Sequence, residues 1–363
     1  MADAATTEYQ LTTEPKLKDF VAEVLGKSGV APEHAAAVAD VLVASDLRGI
    51  ESHGVARLES YYVSRIRSGN LNPRPDYTVV RETETSVVFD ADNGLGHPVA
   101  KMTMQKVIEK AAGHGSAFGA VRNSNHFGIA GYYAMMALDH DMIGMASTNS
   151  VKYGAPTNGR DVLLGTNPLA YAIPAGEEPP FVLDFATTTV PKGKLEVYKR
   201  KLMPLLPGWA IDRDGNMTQD PDEALRGALL PLGGFGTDGG GHKGFGLGLL
   251  VDILCGVLSG GAFGPTLPRV TDVKKGAISH WFGAFRVDGF RDVAAFKADM
   301  DRELRYFKDS ARVPDADRIY VAGEPEFEKT AYHREHGVPV HVKVWDGLAQ
   351  LAGELGIPFD LAR

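Results

Sequence analysis

Strands do not alternate strictly with helices along this chain, which argues against a regular doubly wound parallel sheet. The head reads as helices. Pro15 to Gly26 and Pro32 to Asp46 carry apolar residues at three- and four-residue spacing. Arg48 to Gly54 breaks the pattern and Val55 to Ser68 resumes it, with Val55, Leu58, Tyr62 and Ile66 as one apolar stripe. Asn70 to Pro75 is a turn and a domain boundary. Strands then read at Tyr77–Val80, Ser86–Asp90, Ala117–Val121, Met142–Thr148, Leu163–Ile173, Phe181–Phe185, Trp281–Val287 and Ile319–Ala322. Helices read at Val99–Ala112, Ile129–His140, Gly244–Ser259 and Asp292–Phe307, and the tail from Glu326 is mostly helical. The expectation is an α+β protein. Residues 1–78 plus 326–363 form a helical domain, and residues 79–325 form a sheet-containing one.

Composition excludes several classes. A chain of 363 residues suits about two domains. The formal net charge of −8 argues against a nucleic-acid binder and against a protein held on anionic lipid. A single cysteine, Cys255, rules out an internal disulfide and a cysteine-built zinc site, and it is compatible with a reducing cytosol. Met1 to Lys16 is polar, with no signal-peptide core. The longest apolar region, Phe245 to Leu258, is interrupted by Asp252 and falls short of the ~20 residues needed to cross a bilayer. The expectation is a cytoplasmic protein with no membrane or nucleic-acid partner.

Glycines cluster between Gly233 and Gly264, where Gly239-Gly240-Gly241-His242-Lys243-Gly244 matches G-x-G-x-x-G in form. A dinucleotide fingerprint needs a strand before the loop, and here a glycine-rich loop precedes it. A glycine loop feeding a helix start with Lys243 in it is either an anion site or a flexible loop with a solvated lysine. Gly193-Lys194 fails as a phosphate loop because Leu195 stands where Ser or Thr is required. The run Lys192, Lys194, Lys199, Arg200, Lys201 reads as a solvated helix face, and His333 and His336 as surface histidines.

Five other stretches carry chemistry. Ser52-His53-Gly54 lies at a helix break, and a helix starting near His53 would put His53, Arg57 and Tyr61 on one face. Such a row can bind and titrate a carboxylate, or it can be a surface row with Arg57 paired to Glu51 or Glu59. Arg122-Asn123-Ser124-Asn125-His126-Phe127-Gly128 links a strand to a helix, either as a site loop or with Ser124 or Asn125 as a cap. Ser147 to Ser150 and Gly165 to Pro168 end strands. Asp184 stands inside an apolar strand, where a buried charge needs a partner such as a histidine, unless it caps the following turn.

Taken in order, GIESHGVARLESYY, VRNSNHFGIAGYYA, GTNPLAYAIP, VLDFATT, PGWAIDRDG, LLPLGG, GGHKGFGLGLLVDILCGVLSG and AGEPE resemble the type-2 malate/L-lactate dehydrogenase family. That family includes sulfolactate, ureidoglycolate and diketogulonate oxidoreductases and cyclic-imine reductases. The resemblance implies a non-Rossmann NAD or NADP enzyme with a largely antiparallel or mixed sheet for the cofactor. It also implies a separate helical domain, and a homodimer with the site near its interface. By residue match, Ser52 and His53 are implied as the catalytic pair, with His53 exchanging the proton and Asp184 orienting them. His126 holds the proton-transfer role in some members. Arg57, Tyr61 and Thr166 are implied substrate contacts. His126, Phe127, Gly128, Ser150, Asp184, Phe185, Ala186, Lys243, Gly244, Gly323, Glu324 and Pro325 are implied cofactor contacts. After VLDFATT the chain reads TVPKGKLEVYKRK, richer in lysine than the family pattern, so NAD and NADP both stay open.

The implied chemistry moves a hydride from the α-carbon of a small 2-hydroxy acid. A neutral imidazole near its usual pKa takes the hydroxyl proton, and an arginine fork holds the carboxylate. No metal is required. An imine reductase on the same scaffold would use the same cofactor and arginine. A non-catalytic nucleotide- or phosphate-binding protein built on the Lys243 loop is the alternative from another class, and the paired histidine motifs argue against it.

Overall fold

A computed structural model describes residues 8–268, 275 and 277–363, so residues 1–7 of the expected helical head lie outside the described residues. The head opens with β1 (Tyr9–Thr12), α1 (Glu14–Lys27) and α2 (Pro32–Leu47). Thr13 caps α1 by accepting the Lys16 N–H, and each helix has a proline in its first turn, where a missing N–H costs nothing. Leu17, Phe20, Val21, Val24 and Leu25 form the buried stripe of α1.

Val55 to Ser68 is not the single α-helix the apolar spacing predicts. Glu51–His53 and Val55–Arg57 are 3-10 turns, Leu58–Val63 is a π-helical stretch, and only α3 (Ser64–Arg67) is regular. The cause is Asp46. Its buried carboxyl group accepts the Val55 N–H at 2.8 Å, and a Cβ on Gly54 would lie 1.9 Å from its Oδ1. The chain therefore turns at an extended Gly54. The wider π turn still buries Leu58, Tyr62 and Val63, while Ile66 stays partly buried.

The middle runs β2 (Thr78–Glu82), β3 (Ser86–Asp90), α4 (Gly96–His114), β4 (Ser116–Ser124), α5 (Ala130–Met135), β5 (Met142–Thr148), β6 (Leu169–Ile173) and β7 (Phe181–Phe185). Next come α6 (Lys192–Arg200), β8 (Ala210–Ile211), β9 (Met217–Thr218), α7 (Pro221–Arg226), β10 (Ala228–Leu229) and α8 (Gly241–Asp252). The chain closes with β11 (Ile278–Arg286), α9 (Val293–Lys308), α10 (Glu324–His336), β12 (Val338–His341) and α11 (Val342–Leu355). Seven strands make the main sheet, in the order β2-β3-β4-β11-β5-β6-β7. Only β3 and β4 run parallel, joined by α4 as the crossover; every other neighbouring pair is antiparallel. This is the α+β architecture with a mixed sheet.

Several elements depart from the sequence reading. Leu163 to Pro168 is not strand; Leu164 makes only an isolated bridge to Gly154. Ile319 to Ala322 is not a strand either, because its contact with β7 in backbone bonding is one bond, Val182 N–H to Ala322 C=O at 3.0 Å. The helix expected over Ile129–His140 stops at Met135 and is followed by a 3-10 turn, Leu138–His140. The helix expected from Gly244 begins at Gly241 and widens into a π turn at Ile253–Val257. The tail contains β12, which pairs antiparallel with β1 and ties the two chain ends together. Residues of the head and tail share one core, including Leu17, Leu42, Tyr62, Val338, Leu348 and Leu361. A second core lies between the main sheet and helices α4 and α5, and a small third one, around Leu195, Leu205 and Leu229, sits beside the three-stranded sheet β10-β8-β9.

Candidate active site

Two segments far apart in sequence meet at a pair of histidines. His53 ends the 3-10 turn held by Asp46, and His126 follows β4. Their rings stack with centroids 5.4 Å apart and 26° between planes. Ser52 Oγ lies 2.9 Å from His53 Nδ1. Arg57 donates from Nε to the Ser52 carbonyl at 2.7 Å, so it braces the turn. Among the described residues it has no ion pair with Glu51 or Glu59, which removes the surface-pair reading. Tyr61 packs its ring 5.3 Å from His126, and Arg65 lies over the Tyr61 face. His53, Arg57 and Tyr61 thus converge, although the kink at Gly54 means they do not share one continuous helix face.

Burial, and then the Arg57 charge beside it, lower the His53 pKa to about 4. His126 is pushed well below its ordinary value, chiefly by burial and then by His53 and His97. Both imidazoles are therefore neutral at pH 7, as an acceptor of a hydroxyl proton must be.

The polar residues before His126 build the loop and cap nothing. Ser124 Oγ bonds His280 Nε2 at 2.8 Å. Asn125 donates to the carbonyls of Asn93 and Gly94 and accepts from Arg65. The helix that follows has Ile129 at its N-cap, without a side-chain cap. The Phe127 side chain packs inward. Its ring stacks on His280 at 4.4 Å and 4° and on Tyr133 at 4.8 Å, and it is 1% exposed, so it is a core residue. Gly128 has φ +82°, and a Cβ there would reach Val41 Cγ1 at 2.5 Å, so the turn requires glycine.

Asp184 is not brought to His53 or Ser52 within the chain. Its Oδ2 accepts the Gly131 N–H at 2.7 Å, which pins the start of α5, and it faces Arg48 and Glu326. It opens onto a cleft of about 350 Å³ lined also by Arg48, Ile50, Tyr320, Gly323 and Pro325. Crowding by protein, only partly offset by the Gly131 bond and Arg48, raises its pKa to about 6. Gly323 caps α10 at φ +92° and packs against Val182, Pro325 opens the helix, and Glu324 turns back to Lys308 and the Val321 N–H. Phe185 and Ala186 lie partly buried at the end of β7.

Ser150 and Thr166 form a third group. Thr166 N–H donates to Ser150 Oγ at 3.0 Å, and the two hydroxyls are 3.4 Å apart. Asn167, at φ +35°, accepts the Ser150 N–H and donates to the Gly248 carbonyl, tying this turn to α8. Lys243 is exposed in the first turn of α8, and Gly244 packs onto Leu232, where a Cβ would meet its carbonyl at 2.3 Å. The predicted residues thus fall into the histidine group, the Asp184 cleft and the Ser150–Thr166 turn beside α8.

Three contributors escape a sequence reading. Asp46 holds the Ser52–Gly54 turn, and an acid inside an apolar helix was its only signal. Tyr62 bonds His126 Nδ1 at 2.6 Å and lies 3.3 Å from His97 Nε2. Tyr62 reads in the sequence only as part of an apolar stripe and nothing singles out His97, because their partners lie 35 to 64 residues away. Among the described residues no group of three or more His, Cys, Asp or Glu is placed to hold a metal, and no helix is long and apolar enough to cross a membrane.

Comparison with known proteins adds an independent finding. A family model described as malate/L-lactate dehydrogenase matches residues 12–349. The chain is 44% identical over 350 residues to the malate dehydrogenase of Pyrococcus abyssi, covering 96% of each chain. It is 37% identical to the L-sulfolactate dehydrogenase of Methanocaldococcus jannaschii, covering 94% of this chain and 96% of that one. Its fold matches a crystal structure of malate dehydrogenase from Entamoeba histolytica with a TM-score of 0.92, at 36% identity over 97% of this chain and 99% of that one. It also matches the delta1-piperideine-2-carboxylate reductase of Pseudomonas syringae pvar. tomato, with a TM-score of 0.82 and 27% identity, over 94% of this chain and 100% of that one.

Proposed function

The chain belongs to the malate/L-lactate dehydrogenase family, and from that premise we propose that it transfers hydride between NAD or NADP and a small 2-hydroxy acid of the malate or L-lactate type. The observation that carries this reading is the meeting of Ser52, His53, Arg57 and Tyr61 with His126 at one place.

His53 is the proton acceptor. With Nδ1–H donating to Ser52 Oγ, its Nε2 lone pair is free to take the hydroxyl proton as the α-carbon gives up hydride. Arg57 holds the substrate carboxylate through its Nη groups, since its Nε is already spent on the Ser52 carbonyl. Tyr61 and Thr166 complete the substrate contacts. The coenzyme, when bound, accepts or returns the hydride. The residues present fit such a group: the cleft at the start of the 13-residue helix α10 sets the Asp184 carboxylate, an acceptor for hydroxyl groups, beside the Arg48 guanidinium. Asp184, Phe185, Ala186, Gly323, Glu324 and Pro325 would hold it there, with Ser150, Lys243 and Gly244 on the α8 side and His126 and the backbone at Gly128 between. In this arrangement the helical domain, 1–78 plus 326–363, supplies His53 and Arg57, and the domain 79–325 supplies most coenzyme contacts.

A homodimer is part of the same reading. Leu249, Ile253 and Val257 are exposed at four-residue spacing along α8 and the π turn, next to exposed Leu250 and Leu258. An apolar stripe of that size suits a partner surface. A cytoplasmic site of action suits a chain whose single cysteine forms no internal disulfide. An imine reductase remains the second reading, supported by the likeness to the piperideine-2-carboxylate reductase. The test is a panel of 2-oxo acids with NADH or NADPH, with and without methylamine, scored by coenzyme oxidation. Turnover of the 2-oxo acids alone supports the dehydrogenase; turnover only with the amine present supports the imine reductase; none in either arm sinks both.

A further inference from the structure

We infer that Tyr62, backed by His97, is a positioning residue that holds His126 with its proton on Nε2, so that His126 meets the substrate oxygen as a hydrogen-bond donor and leaves proton exchange to His53. The inference rests on the dehydrogenase reading for its consequence, and on hydrogen bonding alone for the tautomer.

Two donors converge on His126 Nδ1. Tyr62 OH is 2.6 Å away, and the Gly128 backbone N–H is 3.3 Å away. A backbone N–H can only donate, so Nδ1 must be the bare nitrogen of the neutral ring, and the proton lies on Nε2. Tyr62 OH must then also donate to Nδ1. That leaves its oxygen to accept, and His97 Nε2 at 3.3 Å is the donor available. The direction is consistent at His97 too. Among the described residues its buried Nδ1 has no hydrogen-bond partner, and a bare lone pair there leaves the ring's one N–H for Tyr62. The chain of donation runs one way, from His97 through Tyr62 to His126.

Tyr62 and His97 are 0% exposed. The charged and titratable groups that act on His126 are His53, His97, Arg57 and His280, with Tyr61 and Tyr62 packed against its ring; no carboxylate is among them. A ring held this way cannot take a hydroxyl proton on Nε2 without first losing the one it carries. His53 is under no such constraint, since a serine hydroxyl at its Nδ1 can either donate or accept. The two histidines of the stacked pair therefore take different roles, and the phenol of Tyr62 sets the difference.

The experiment uses the full chain labelled with [15N]histidine, as wild type and as Tyr62→Phe, with His126→Asn to identify the signal. Tyr62→Phe keeps the packing and removes only the hydroxyl. Ring 15N shifts read the tautomer whether or not the protein turns over substrate, so a failure of the dehydrogenase reading would show as an inert wild type with its tautomer still measurable. The expected result is a bare Nδ1 and protonated Nε2 in the wild type, and both tautomers in Tyr62→Phe. Kinetics supply the second arm. Tyr62→Phe should lose about tenfold to a hundredfold in kcat for 2-oxo acid reduction, with the NADH Kd unchanged within about twofold. Fluorotyrosines at position 62 should restore kcat to a degree that follows phenol acidity, which a purely structural role would not do. A proton on Nδ1 in the wild type would overturn the inference. So would wild-type kcat in Tyr62→Phe, or fluorotyrosine rates that ignore acidity. If Tyr62→Phe fails to fold, the wild-type tautomer and the fluorotyrosine series decide.

Discussion

Asp46 offers a contest between two forces whose winner can be measured. Burial raises its carboxyl, the Val55 N–H bond pulls the other way, and Glu51 adds a small upward push; the balance lies at about 8, against an ordinary 3.8. The residue is 4% exposed, so solvent screening does little. Between those two values the folded protein keeps a proton that the unfolded chain has released. Stability therefore falls as pH rises through that window, by about 1.4 kcal/mol per unit, and levels off above about 8. By pH 7 the accumulated cost is up to about 4 kcal/mol, a large share of a typical domain's stability. Asp46→Asn keeps an oxygen for the Val55 N–H and cannot ionise. The difference in urea midpoint between variant and wild type, converted with a common slope, cancels the titration of every other group. We expect a difference near zero at pH 4 that grows in the variant's favour towards pH 8. A difference that does not change with pH, or a variant less stable throughout, would mean that the Val55 bond outweighs burial and that the carboxylate is ionised in the fold.

Three further outcomes are expected. Arg57→Met should lower kcat/KM for malate and lactate by about tenfold to several hundredfold, with Arg57→Lys recovering part of it and coenzyme affinity unchanged in both; full activity in Arg57→Met would remove the carboxylate clamp. Lys243→Ala should weaken NADH or NADPH binding in a fluorescence titration, and a raised substrate KM with unchanged coenzyme Kd would move this lysine to the substrate side. Light scattering should give twice the chain mass, and Ile253→Asp should lower it towards one chain at micromolar concentration; a monomeric wild type would leave the apolar stripe of α8 without this explanation.

The parts of the fold that were legible are those whose period is local. Helices α1, α2 and α4 announce themselves by apolar spacing and by prolines in the first turn, and β3, β5 and β7 by short apolar runs. What hid was set by contacts across the sequence. The turn after His53 is bent by the carboxyl group of Asp46 in the preceding helix, so its 3-10 and π geometry leaves no trace in the spacing of Val55, Leu58 and Tyr62. The strands β8, β9 and β10 have two residues each, too few to carry a period. Strand β12 is fixed by pairing with β1 more than three hundred residues away. The site divides the same way. His53 and His126 stand in idiosyncratic motifs and could be named. Asp184 was visible as an acid in a strand, but its partner proved to be the Gly131 N–H, and no feature of the strand says which donor its carboxylate will find.

The most direct measurement of the central claim is coenzyme reduction by malate and by L-lactate, with NAD and with NADP, in the wild type, His53→Ala and His126→Ala, alongside the coenzyme Kd of each. The account predicts turnover of at least one of the two acids by the wild type. His53→Ala should lose at least about a hundredfold in turnover and bind NADH as tightly as before. A His53→Ala enzyme of nearly normal rate beside an inactive His126→Ala would reverse the two roles, and a wild type inert towards both acids with both coenzymes would contradict the account itself.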